Sequence, residues 1–131
     1  MNLAGELVLG RNQLRRELEA GGTVSLSTPS TVTFDGSTTL DANGQSFFNL
    51  TISGTVQLSN DLPVAGGLTV TGTGTLESLN NNIDVTGATD IDGQLDIDGM
   101  LAGTSMALRG NLDLLGGTVS KPASGAGQTV F

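Results

Sequence analysis

The sequence predicts an all-β fold, a triangular parallel β-helix (β-solenoid) of about 18 residues per coil. Three observations predict it. From Thr31 onward the chain divides into six-residue units with apolar residues second and fourth and a turn residue last. Every third unit closes on glycine. Thr, Val, Ile and Leu fill the units, as a pleated and half-buried surface prefers.

The units run TVTFDG, STTLDA, NGQSFF, NLTISG, TVQLSN, DLPVAG, GLTVTG, TGTLES, then an insertion, Leu79-Asn80-Asn81. NIDVTG, ATDIDG, QLDIDG, a short MLAGT, SMALRG, NLDLLG and GTVSKP follow. Residues two apart point to the same side of an extended segment, so each unit reads as a strand with two inward side chains. Taking every third unit from Thr31 gives a first face whose sixth residues are Gly36, Gly54, Gly72, Gly93 and Gly110. A corner of positive φ repeated in each coil would require glycine there. The fourth residues of that face are Phe34, Ile52, Val70, Ile91 and Leu108. Those of the second face are Leu40, Leu58, Leu76, Ile97 and Leu114; the third face contributes Leu62, Val64, Ile83 and Val85. Five or so coils result, each burying its inward side chains against the coils above and below. Two large inward residues per face make a wide core, which favours a right-handed helix over the left-handed hexapeptide type.

The chain reads as a single domain, with 1–22 as N-terminal region, 23–120 as coils and 121–131 as C-terminal tail. In the first part Gln13 to Ala20 carries strong helix formers with a Gly21-Gly22 stop. The six-residue phase also continues backwards through it, so a capping helix and a further charged coil both fit. Either would cover the open edge of the first coil. In the tail, Pro122 and the glycines fit a chain leaving the solenoid.

Composition narrows function. With no Cys and no His, the usual zinc sites and the common nucleophile–base pairs are unavailable. A net charge of −8 opposes binding to nucleic acid. No apolar run approaches a membrane-spanning length. The first six residues lack the basic and apolar regions of a secretory signal. Three readings fit: the protein is not exported by that route, its signal has been removed and a start Met added, or the chain is an excerpt of a longer one. Paired carboxylates on a β-helix could in principle hydrolyse glycosidic bonds, but without Trp or Tyr the chain is expected not to be an enzyme.

The densest chemical feature is Asp90, Asp92, Asp96 and Asp98, spread over two successive faces. Carboxylates with glycine turns suit a hard cation, so these four are the candidate calcium ligands; a solvated acidic surface is the competing reading. In the register of this reading Asp92 lies beneath Arg109 as an ion pair, and Asp96 beneath Asp113 as a like-charge pair. Thr33, Thr51 and Thr69 form a short outward ladder of the kind that ice-binding solenoids use, or simply reflect sheet propensity. Of Phe47 and Phe48, one is expected to fill the core, the alternative being an adhesive patch.

The run from Phe48 to Leu58 (FNLTISGTVQL), continued by Gly67-Leu68-Thr69-Val70-Thr71-Gly72, resembles the β-strand repeats of large secreted bacterial surface proteins, adhesins and autotransporter passengers. The likeness covers about Thr23 to Val119. It implies an extracellular or cell-surface, elongated, adhesive or matrix-forming protein. The triangular spacing also resembles bactofilins, cytoskeletal β-helices that polymerise end to end, although Thr-rich outward positions depart from them. The expected role is therefore a structural unit of a fibre, adhesin or filament that self-associates end to end. A module binding calcium, a glycan or ice is the alternative.

Overall fold

The computed structural model describes residues 2–9, 25–97, 104–120 and 128–130. Among them it is all-β, without helices, and its parallel sheets stack as a β-solenoid of about four turns. The strands are β1 (Asn2–Leu9), β2 (Ser25–Phe34), β3 (Thr38–Leu40), β4 (Asn49–Ile52), β5 (Thr55–Leu58), β6 (Leu62–Val64), β7 (Leu68–Val70), β8 (Thr75–Glu77), β9 (Ile83–Val85), β10 (Thr89–Ile91), β11 (Gln94–Asp96), β12 (Ser105–Leu108), β13 (Leu112–Asp113), β14 (Thr118–Ser120) and β15 (Gln128–Val130). Sheet A runs β1-β2-β4-β7-β10-β13, sheet B runs β3-β5-β8-β11-β14, and sheet C runs β6-β9-β12-β15. Phe47 adds a single parallel bridge to Val64 at the lower end of sheet C.

Short strands suffice because each buries alternate residues on the inside and takes its backbone hydrogen bonds from the coils on either side. Leu50-Thr51-Ile52 pairs with Leu68-Thr69-Val70, and only the central Thr of each points outward, half-buried. Inward residues stack like on like. Val32, Leu50 and Leu68 form one column of sheet A; Phe34, Ile52, Val70 and Ile91 form the next. All are at most 2% exposed, and each such side chain contributes about 2 kcal/mol of transfer free energy. Phe47 joins this core, whereas Phe48 stays half-buried.

The first coils have the predicted length: Asn49 pairs with Thr31 eighteen residues earlier. Later coils are longer, with Thr89 pairing with Leu112 twenty-three residues on. Two departures from the predicted register follow.

The first is a two-residue slip in the third coil. Leu76 stacks on Val56, not on Leu58, because Thr73-Gly74 belongs to the corner preceding β8. Ser78 consequently takes the inward place above Leu58, fully buried, with its hydroxyl donating to the Leu79 carbonyl (3.3 Å).

The second departure follows residues 98–103, which lie outside the described residues. The Ser105 unit continues sheet C above β9, not the first face. The Asn111 unit then returns to sheet A. Arg109 and Gly110 therefore do not stack on Asp92 and Gly93, and Asp113 lies beside Asp90, not Asp96. Leu114, expected inward, leaves the end of β13 and is 41% exposed.

Glycine columns do mark the corners, for a different reason from the one predicted. Positive φ among described glycines occurs only at Gly44 and Gly116. At the corner between sheets A and B the column is Gly36, Gly54, Gly74, Gly93 and Gly117, not one through Gly72 and Gly110. A Cβ on Gly54, Gly74, Gly93 or Gly117 would collide with a backbone carbonyl of the coil beneath, whereas Gly72 faces open space. Gly66, Gly87 and Gly110 form a second column at the corner between sheets C and A, Gly110 resting on Gly87 and Gly87 on Gly66. Close approach of stacked backbones, not left-handed conformation, excludes side chains there.

The region 13–20, read as helix or coil, lies outside the described residues, as does 121–127. Beside them, β1 pairs in parallel with β2 and so adds a strand to sheet A. β15 pairs with β12 at the top of sheet C.

Candidate functional site

Outward side chains align in rows along each sheet. On sheet A the row is Thr33, Thr51, Thr69, Asp90 and Asp113, in register through five strands. The Thr ladder thus exists and ends in two adjacent carboxylates. Sheet B aligns Gln57, Glu77, Asp96 and Ser120. There the Gln57 amide donates to Glu77 Oε2 at 2.7 Å.

Of the four carboxylates expected to hold calcium, the three that are described stand apart from one another. Asp90 stands on sheet A and Asp96 on sheet B, and Asp92 occupies the exposed corner between them. Asp98 lies outside the described residues. Among the described residues no three acidic side chains gather as a metal-holding group.

Sheet C carries a shallow groove of about 530 Å³. Its floor is the outward row Pro63, Asp84 and Ala107, in register through β6, β9 and β12. The small side chains on either side of Asp84 create the depression. One wall is Arg109, whose Nε and Nη2 donate to the two oxygens of Asp84, both at 2.9 Å. That bidentate contact holds the Asp84 carboxyl below the usual carboxylate range and raises the guanidinium above its own. The two side chains are 49% and 58% exposed, so solvent and salt screen the pair.

The opposite wall is the corner between sheets B and C, built from side-chain hydrogen bonds where the other two corners use glycine. Asp61 accepts the backbone N–H of Asn82 at 2.8 Å and its side-chain amide at 3.0 Å. Asn82 Oδ1 in turn accepts the Ser105 N–H at 2.7 Å. One coil lower, Asn60 donates to Asp41 Oδ1 at 3.2 Å. Amides and carboxylates here cap the backbone of the next coil, and their polar atoms are largely engaged with one another. Sequence reasoning missed this ladder. Its signal was present in the Asn and Asp residues at the joins of successive units, Asp41, Asn60-Asp61 and Asn82.

The upper end of the stack differs from the rest. β13 has only two residues, and its Leu112 is only partly covered, as is Val119 on β14. Between them Leu114 is 41% and Leu115 84% exposed. Two exposed leucines thus lie in the turn between the strands that carry Leu112 and Val119. Comparison of the chain with known family profiles, with curated proteins and with solved structures gives no match.

Proposed function

We propose that the chain is a structural, non-catalytic solenoid unit of a secreted or surface bacterial fibre, adhesin or self-assembling filament, joined end to end. The observation that carries this reading is the exposure of Leu114 and Leu115, between the partly buried Leu112 and Val119, at the upper end of the described strands. Exposed aliphatics mark an interaction surface, and these follow β13, the last described strand of sheet A. Contacts of this kind are head to tail and generate open filaments. The sheets support it because every strand pair runs parallel, so an added copy in the same orientation preserves strand sense. The resemblance of the Phe48–Leu58 run to surface-protein repeats supports a position outside the cell.

Electron microscopy and light scattering of the purified chain test the reading. Filaments with the strand-stacking direction along their axis are expected, and Leu114→Asp with Leu115→Asp should return them to monomers. A monomer at high concentration, or filaments unaffected by the double substitution, would overturn it. A binding module is the second reading, favoured by the in-register row Thr33, Thr51 and Thr69, a flat array on which an ordered surface such as ice could rest.

A further inference from the structure

The corner that begins the B–C edge contains the sequence's one Asn-Gly step, Asn43-Gly44. Ala42 to Gln45 form a tight turn closed by the Gln45 N–H on the Ala42 carbonyl at 2.8 Å. Its two central residues have φ of 48° and 74°. Both are exposed, and the space around Gly44 is open. We propose that Asn43 is a site of spontaneous covalent modification, converting through a cyclic succinimide to isoaspartate and aspartate.

The step needs no co-reactant but water. The Gly44 nitrogen attacks Asn43 Cγ and forms a new N–Cγ bond. The Cγ–Nδ2 bond breaks, and the amide nitrogen leaves as ammonia, carrying the proton that Gly44 gives up. Water then opens the ring. Attack at Cγ yields aspartate; attack at the Asn43 backbone carbonyl carbon yields isoaspartate, with one extra methylene in the main chain.

Several features single out this residue. The attacking nitrogen belongs to a glycine, so no side chain obstructs it. No hydrogen bond among the described residues holds the Asn43 side chain or the Gly44 N–H, whereas Asn49, Asn81 and Asn82 are tied down. Asn49 Oδ1 accepts the Gly67 N–H, the Asn81 amide donates to the Leu58 carbonyl, and Asn82 bonds Asp61 and Ser105. At the comparable step Asp92-Gly93, the glycine N–H is occupied by the Val70 carbonyl.

The product changes its surroundings. A new carboxylate appears beside Asp41, whose Oδ1 already accepts the Asn43 N–H and the Asn60 amide. Gly44 also borders the sheet C groove, so the altered turn makes that rim more acidic.

The test is incubation of the full chain at mildly alkaline pH, followed by peptide mapping with fragmentation that separates isoaspartate from aspartate. A mass gain of one dalton confined to Asn43, with isoaspartate present, is the expected result. Asn43→Gly, which suits the left-handed turn, should fold normally and show no gain there. The proposal is overturned if Asn43 stays intact while a synthetic Ala42–Ser46 peptide converts under the same conditions. Prior conversion of another asparagine would overturn it equally.

Discussion

Gly54 rests directly on Gly36: a Cβ added to Gly54 would overlap the backbone of the glycine beneath it. The obstruction is main chain, which cannot swing aside as a flexible side chain would. Gly54→Ala should therefore destabilise by roughly 2 kcal/mol or more, as overpacking against a fixed partner does. Gly72→Ala, facing open space without positive φ, should change stability by less than about 0.5 kcal/mol. Thermal melts of the two variants make the comparison, and equal losses would show that the column is misassigned.

Thr89 occupies an inward place between Leu68 and Leu112. It is 1% exposed, and its hydroxyl has no hydrogen-bond partner. Valine has the same shape without the polar atom. Thr89→Val should raise stability by about 1 kcal/mol, the cost of an unsatisfied buried hydroxyl. An unchanged or lower melting temperature would mean that water satisfies the group.

The Asp84–Arg109 pair predicts a modest acid-side dependence. The Asp84 pKa is depressed in the fold by the Arg109 hydrogen bonds, so its contribution is present above the ordinary carboxylate pKa. It is lost as pH falls through the lowered folded value. Arg109→Gln should lower stability slightly at neutral and alkaline pH, leave it unchanged below the folded Asp84 value, and so flatten the acid part of the stability–pH profile. Added salt should shrink the difference, since both side chains stand in solvent.

Asp90 and Asp113 face each other across adjacent strands. Like charges directly opposite are unfavourable, so Asp90→Asn should stabilise slightly and reduce the gain from added salt. Calcium and magnesium at equal concentration should raise the melting temperature equally, as screening would. A calcium-specific rise abolished by Asp96→Asn would instead revive a site built on the acidic coil.

Asn82 links two coils through Asp61 and Ser105. Asn82→Ala leaves the Ser105 N–H and one Asp61 oxygen without that partner. A loss of about 1 kcal/mol is expected, read by denaturant unfolding.

The fold was legible in the sequence because inward residues alternate with outward ones through every coil. Parity, however, is all that alternation reports. A shift by two residues keeps the same side chains inside, so Leu76 was assigned to the column of Leu58 when it stacks on Val56. The glycines could have exposed the slip, since Gly74, not Gly72, sits at the crowded corner. After Asp98 the short unit before Ser105 was counted as a full face, which displaced Arg109 from Asp84 to Asp92. The groove followed from that register and so was invisible. The exposed leucines were not legible, because Asn111 to Gly116 reads as one more apolar unit with Leu114 inside.

The three edges of the prism differ in how much chain they admit. Between sheets C and A, the connections 65–67, 86–88 and 109–111 all have three residues, a constancy that the Gly66, Gly87 and Gly110 column accompanies. Between sheets B and C the connections vary, with six residues at 41–46 before the Phe47 bridge, three at 59–61 and five at 78–82. Glycine packing closes two edges, while side-chain hydrogen bonding leaves the third extensible. That edge is where new loops can be grafted while the stacked strands keep their spacing.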